Sequence, residues 1–154
     1  MSSDALQTAL LSDAAGRPIA MAGGIRPVWR GARLAGPALT VRTEPGEHPA
    51  VLRALEEAQA GVVIDGAVRD VAEIEELRFP VFAAGVAPTP PIREGGGETG
   101  LSIACGGIAV SPGDLVVGDE DGVVVVPRNE VDELVTRARE LDAVERRWAP
   151  PRQK

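Results

Sequence analysis

The chain has 154 residues, 44% hydrophobic and 25% charged, with a formal net charge of −7. That length fits one domain with a substantial core, and the composition argues against both disorder and a membrane class. The acidic balance offers no basic face to phosphates, so nucleic acid is not expected as a partner.

In chain order, Leu6, Leu10 and Leu11 space a short helix within residues 2–16, ending near Gly16. Leu34 to Arg42 reads as a strand and Pro45-Gly46 as a loop. His48-Pro49 then opens a helix to about Ala60, with proline suited to the first helical position and Val51, Leu52, Leu55 and Ala58 as its buried side. The β-branched run Val62-Val63-Ile64 predicts a strand covered on both faces and broken by Asp65 and Gly66. Helical spacing resumes from Val71 to Leu77. Arg69 and Asp70 therefore fall between a strand end and a helix start, where ligand groups converge in open α/β sheets.

Phe79 to Phe82 reads as another short strand, and Pro88 to Gly100 as a loop. Within it, REGGGETG (Arg93 to Gly100) lacks the lysine of a phosphate-binding loop, and a phosphate role is set aside. Ile108–Val110 and Leu115–Val117 read as strands about a Pro112-Gly113 turn. Asp119-Glu120-Asp121-Gly122 turns the chain into Val123–Val126 as a hairpin. This acidic turn lacks the later ligands of a calcium loop and reads as solvated. Val131, Leu134, Val135, Ala138, Leu141, Val144 and Trp148 recur at three and four residues, predicting a helix with Asn129 as N-cap and a Glu133–Arg137 pair. Pro150-Pro151 stops it, so residues 1–149 read as a single domain and 150–154 as a flexible tail.

Cys105 is the only cysteine, which precludes an intrachain disulfide; beside two glycines it reads as a small buried residue rather than a nucleophile. The first residues lack a secretion-signal pattern, and no apolar run approaches the length of a membrane span. A cytoplasmic location with no membrane partner is the expectation.

Three blocks carry a resemblance. VVIDGAVRDVAEIEELRFPVFAAGVAPTPP (Val62 to Pro91), IRPVWRGARLAGPALTV (Ile25 to Val41) and CGGIAVSPGDLVVGDEDGVVVVP (Cys105 to Pro127) resemble, in the same order, segments of the RraA-like family. That family includes 4-hydroxy-4-methyl-2-oxoglutarate aldolases, related oxaloacetate decarboxylases and a protein regulator of ribonuclease E. Periodicity alone supports only a mixed α/β domain. The resemblance implies a three-layer β/β/α swivelling-domain fold, assembled as a homotrimer or a dimer of trimers.

It also implies a chemistry. A divalent metal, Mg2+ in the family's aldolases, holds the carboxylate and keto oxygen of a 2-oxo acid, and carbon–carbon cleavage leaves a pyruvate enolate whose charge must be stabilised. In the matched DGAVRD motif, Arg69 would contact substrate and enolate oxygens, Asp70 would hold the metal, and Gly66 would line the substrate. Taken as residues alone, Asp70 with Glu73 three positions on also reads as a capping box, and Arg69 as a surface arginine. Asp65 reads as a turn former bonding nearby amides.

The chain also departs from the family. A strand and loop reading like GDVLVVDGGG, with its Asp, is absent, and ALEEAQ (Ala54 to Gln59) runs almost directly into VVIDGAVRD. The fold is therefore expected to be shortened by a strand-loop-helix unit. At the spacing of the family's Asp this chain has His48. Glu47 and His48 are the nearest replacements, Glu47 for binding substrate and His48 for moving protons, with an exposed loop histidine as the alternative. The expected function is a lyase related to the metal-dependent 2-oxo-acid aldolases and decarboxylases, redirected to another substrate in a biosynthetic pathway. A catalytically silent regulatory or binding protein on the same trimeric scaffold, and a metal-independent acid–base enzyme, stand as alternatives.

Overall fold

The computed structural model describes residues 6–22 and 24–148. Its first elements are α1 (Thr8–Ala15), β1 (Arg26–Pro27), β2 (Leu34–Pro37), β3 (Val41–Arg42), α2 (Pro49–Leu55), β4 (Val62–Val68) and α3 (Val71–Glu76). Then follow β5 (Val81–Val86), β6 (Glu98–Thr99), β7 (Ile103–Cys105), β8 (Ile108–Val110), β9 (Leu115–Asp119), β10 (Gly122–Val126) and α4 (Val131–Trp148). Residues 2–5 of the expected first helix, and the expected tail 150–154, lie outside the described residues.

The centre is the sheet β10-β9-β2, antiparallel throughout. Successive strand side chains point to opposite faces. On one face Leu115, Val117, Val124 and Val126 meet Leu10, Leu11 and Ala14 of α1 and Leu134, Val135 and Ala138 of α4. On the other, Val116, Val123 and Val125 meet Met21, Ile25 and Phe82. Phe82 belongs to the second sheet, β1-β5-β4, so the layers are helices, sheet, sheet: the expected β/β/α order. Phe82 is fully buried, and a Cβ on Gly118 would lie 2.8 Å from its ring, so only glycine admits this close contact between the sheets. Two further pairs, β3 with β6 and β7 with β8, complete the strands.

Several expectations change in three dimensions. The strand expected over Leu34 to Arg42 is two pieces, β2 and β3, parted after Pro37, whose ring nitrogen has no hydrogen to donate to a ladder. β4 is not broken at Asp65-Gly66: it pairs in parallel with β5, shifts register between Ile64 and Ala67, and runs on to Val68. Such a bulge adds a residue to one strand without ending it. Nor is β4 covered on both faces. It forms the edge of its sheet, and Val62, Val63 and Ile64 are only half-buried.

α2 stops at Leu55 and buries only Ala50, while Leu52 stands half-exposed. Amphipathic spacing marks a face that can be buried, but burial needs an opposing surface. α4 behaves likewise. Leu134, Val135 and Ala138 are buried, but the stripe outruns the sheet, leaving Trp148 83% exposed. It begins at Val131, so Asn129 is not its N-cap residue, and Asp142–Arg146 forms an i, i+4 ion pair on it.

The β9–β10 hairpin turns on Glu120 and Asp121 as expected. Asp119, however, is buried, and its carboxylate accepts from Thr8 N at 2.9 Å, Thr8 Oγ1 at 2.7 Å and Asp121 N at 3.0 Å. What reads as part of a solvated turn is an anchor for the first helix.

Candidate active site

Arg69 and Asp70 leave the C-terminal end of β4, which lies parallel to β5 and is held there by Ala87 N donating to Val68 O at 2.9 Å. Asp70 occupies the residue before α3, but its side chain makes no capping bond. Its backbone is left-handed, with φ 59° and ψ 41°. Such a conformation strains most non-glycine residues and is tolerated best by Asn and Asp. The carboxylate turns back instead to Arg69, whose Nε donates to Oδ1 at 3.2 Å and Oδ2 at 3.0 Å. The capping-box reading of Asp70 is thereby corrected, since the strained turn aims the side chain away from the helix amides.

Both partners are about half exposed, so the pair contributes little to stability. It orients the guanidinium. With Nε committed to Asp70, the four Nη hydrogens remain for a planar anionic ligand. Gly66 lies in the β4 bulge three residues before Arg69, where a Cβ would meet only Ile64 Cγ2 at 3.7 Å, an ordinary contact. Space alone does not require glycine there.

Asp65 bonds not a nearby turn amide but Gly106 N, at 2.8 Å and 41 residues away, tying β4 to the β7–β8 turn. The neighbouring Cys105 is buried. Burial, followed by the charge of Asp65, pushes its thiol up to about 11. It stays protonated near neutral pH, as a packing residue does and a nucleophile does not.

Glu47 and His48 form a second group, organised by Ile92. Ile92 N donates to Gly46 O at 2.7 Å, and Ile92 O receives His48 N at 3.3 Å and lies 3.1 Å from His48 Nδ1. Glu47 Oε2 accepts from Thr43 Oγ1 at 3.4 Å. The two groups are tethered: Ala87 is fastened to the end of β4, Ile92 to His48, and five residues of extended chain reach at most about 18 Å. No hydrogen bond or ion pair joins Glu47 or His48 to Arg69 or Asp70. Sequence reading passed over Ile92 and weighed the run Gly95-Gly96-Gly97 only for phosphate, not for contact with the segment that carries Glu47 and His48.

Among the described residues, no three His, Cys, Asp or Glu side chains gather as a metal cage. Asp70 offers one carboxylate, shared with Arg69. That fits only a largely hydrated magnesium ion completed by water and substrate oxygens, the manner in which magnesium commonly binds. A separate open depression of about 590 Å³ lies by Ser111, Asp114 and Arg128. Its one carboxylate, Asp114, is taken up by Ser111 N and Arg128 N.

A family model for RraA-like proteins (Aldolase/RraA) matches residues 54–125. A Halalkalibacterium halodurans protein, provisionally named a 4-hydroxy-4-methyl-2-oxoglutarate aldolase, is 30% identical over 169 residues, covering 90% of this chain and 80% of that protein. The alignment is longer than the chain itself, so that relative carries residues with no counterpart here, as an internal shortening requires. The 4-hydroxy-4-methyl-2-oxoglutarate aldolase of Thermus thermophilus is 38% identical over 74 residues, 48% of this chain and 45% of that protein. Among solved structures, Streptomyces coelicolor RraAS2, described as an unusual member of the RNase ES inhibitor RraA protein family, is similar with a TM-score of 0.77 and 26% identity, over 92% of this chain and 90% of that one. Within the described residues no helix is long and apolar enough to cross a membrane.

Proposed function

The chain belongs to the RraA-like family, and from that premise we propose that it is a lyase cleaving the C3–C4 bond of a 2-oxo acid, with pyruvate as a product. The observation that carries this reading is the Arg69–Asp70 pair at the end of β4, its guanidinium fixed through Nε and open through both Nη groups. A planar fork of this kind matches the carboxylate and enolate oxygens of pyruvate.

His48 Nε2 takes the proton of the C4 hydroxyl. The C3–C4 bond breaks as the C4 carbonyl forms, and the electron pair moves into the enolate, whose oxygen Arg69 receives. Protonation at C3 from solvent then yields pyruvate. With oxaloacetate, carbon dioxide leaves in place of the carbonyl product. A magnesium ion, when held by Asp70 and water, would supply Lewis-acid stabilisation of the same negative charge. Only interactions stronger in the transition state than in the ground state speed the reaction, and the guanidinium qualifies because enolate charge develops there.

The test is pyruvate release from 4-hydroxy-4-methyl-2-oxoglutarate and from oxaloacetate, each with and without EDTA. Arg69→Ala is expected to lower turnover by about 10²–10³-fold, as removal of one oxyanion donor does. Arg69→Lys should also be damaging, because an ammonium cannot reproduce the bidentate contact. Activity indifferent to Arg69→Ala would sink the mechanism. A second reading, a catalytically silent regulator on the same scaffold, draws support from the likeness to the S. coelicolor RNase ES inhibitor relative, and turnover of neither substrate would favour it.

Self-association belongs to the same proposal. β4 is an edge strand, with Leu52, Leu77 and Val86 exposed on neighbouring elements, and a bare, β-branched edge favours pairing or cover by another chain. A homotrimer is the assembly proposed.

A further inference from the structure

Residues 92–97 run along the segment that carries Glu47 and His48, anchored at both ends. At one end Ile92 bridges Glu47 and bonds Gly46 and His48. At the other, Glu98 and Thr99 pair with Arg42 and Val41, and Arg42 and Glu98 also form an ion pair. A carbonyl oxygen can only accept. The 3.1 Å contact between Ile92 O and His48 Nδ1 therefore requires Nδ1 to carry the ring proton, which leaves Nε2 of the neutral imidazole as a lone-pair acceptor.

The three glycines in between are not equivalent. Gly95 has φ +119°, and a Cβ there would fall 2.1–2.3 Å from the three atoms of the Glu47 carboxyl group. The carboxylate fills the space in which any side chain at position 95 would begin. Gly97 has φ +103°, with its Cβ position 2.6 Å from Ala50 Cβ in the first turn of α2. Gly96 has no positive φ and nothing within 4 Å of its Cβ position. A flexible linker would show no such division. Gly97 meets a rigid atom of the segment 47–50, Gly95 meets the movable carboxyl end of Glu47 in a backbone conformation that favours glycine, and Gly96 does neither.

We infer that residues 92–97 form a positioning strap that presets His48 as a proton acceptor: the Ile92 carbonyl fixes its tautomer, and Gly95 seats the Glu47 carboxylate so that the start of α2 cannot turn. Ile92, Gly95 and Glu47 are then positioning residues acting through His48, and the carboxylate of Glu47 is a wedge rather than a substrate ligand. The role given to His48 rests on the lyase reading above; its tautomer does not.

Because the chain has one histidine, nitrogen-15 spectra of the imidazole at alkaline pH report His48 alone. Wild type and Gly96→Ala are expected to carry the proton on Nδ1. Gly95→Ala should move it toward Nε2 and lower kcat for pyruvate release by about tenfold or more with little change in KM, since a positioned base contributes about 10²–10⁴-fold. Glu47→Ala removes the same seat without adding backbone strain and should shift the tautomer in the same direction, which keeps the test open if Gly95→Ala does not fold. A wild-type proton on Nε2, a tautomer unmoved by either substitution, or a shifted tautomer with unchanged kcat overturns the inference. A wild-type Nδ1 proton in a protein that releases no pyruvate overturns the lyase reading instead and leaves the strap standing.

Discussion

Asp119→Ala is expected to destabilise the fold by about 3 kcal/mol, although the sequence presents this residue as part of an exposed turn. Its carboxylate takes three donors, yet they do not count equally. Asp121 N lies on an exposed residue and can re-pair with water. Thr8 is 3% exposed, and both its N–H and its hydroxyl point at the carboxylate, so both lose their partner in the variant. Hydrogen bonds to charged groups contribute about 1.5–3 kcal/mol each, so the lower value for two donors gives about 3 kcal/mol. The Thr8 amide is also the first of α1, whose cap residue Gln7 supplies no side-chain bond. A carboxylate 111 positions away thus does the work of an N-cap. The assay is urea unfolding of wild type, Asp119→Ala, Thr8→Ala and the double variant. A loss below about 1 kcal/mol for Asp119→Ala, or single effects that add within about 0.5 kcal/mol, would refute the reasoning, since directly bonded partners must couple.

Cys105 should react slowly with an aromatic disulfide at pH 8 in the folded protein and rapidly once urea unfolds it. Its folded value of about 11 lies above the ordinary thiol value, so the unfolded chain loses the proton first. Stability should be unaffected by this group below about pH 9 and fall as pH rises toward 11, with Cys105→Ala flattening that slope. The absence of tyrosine and the presence of a single lysine, Lys154, keep this window nearly free of other titrating groups. Asp70→Asn should weaken magnesium affinity more than it lowers maximal turnover, with activity recovering at high magnesium; equal loss at every magnesium concentration would count against a metal role. Light scattering at micromolar concentration is expected to give a mass near three times the 16.0 kDa chain, and a monomer would remove the proposed assembly.

The hairpin β9–β10 was legible because its causes are local: two β-branched runs and a two-residue turn. α1 was legible for a similar reason, since Gly16 at φ 61° ends it as a glycine after a helix does. The Arg69–Asp70 pair could be located at the strand–helix junction from spacing and motif. Its internal geometry could not, because capping and arginine pairing make the same demand on residue type and differ only in the backbone angles of Asp70. Amphipathic spacing overstated the burial of α2 and of the far end of α4, as it describes one surface without its opposite.

By itself, then, the sequence determined a mixed α/β class, the two hairpin strands and the residues to suspect, all of which depend on neighbours along the chain, while its resemblance to the RraA-like family implied the β/β/α order. Tertiary structure alone decided that Asp119 caps α1, that Asp65 ties β4 to Gly106, that β4 is an edge, and that Ile92 meets His48. Each of these joins groups at least 41 positions apart or concerns which strands lie side by side, and such pairings are set by how layers pack around a shared core rather than by any local preference of the residues involved.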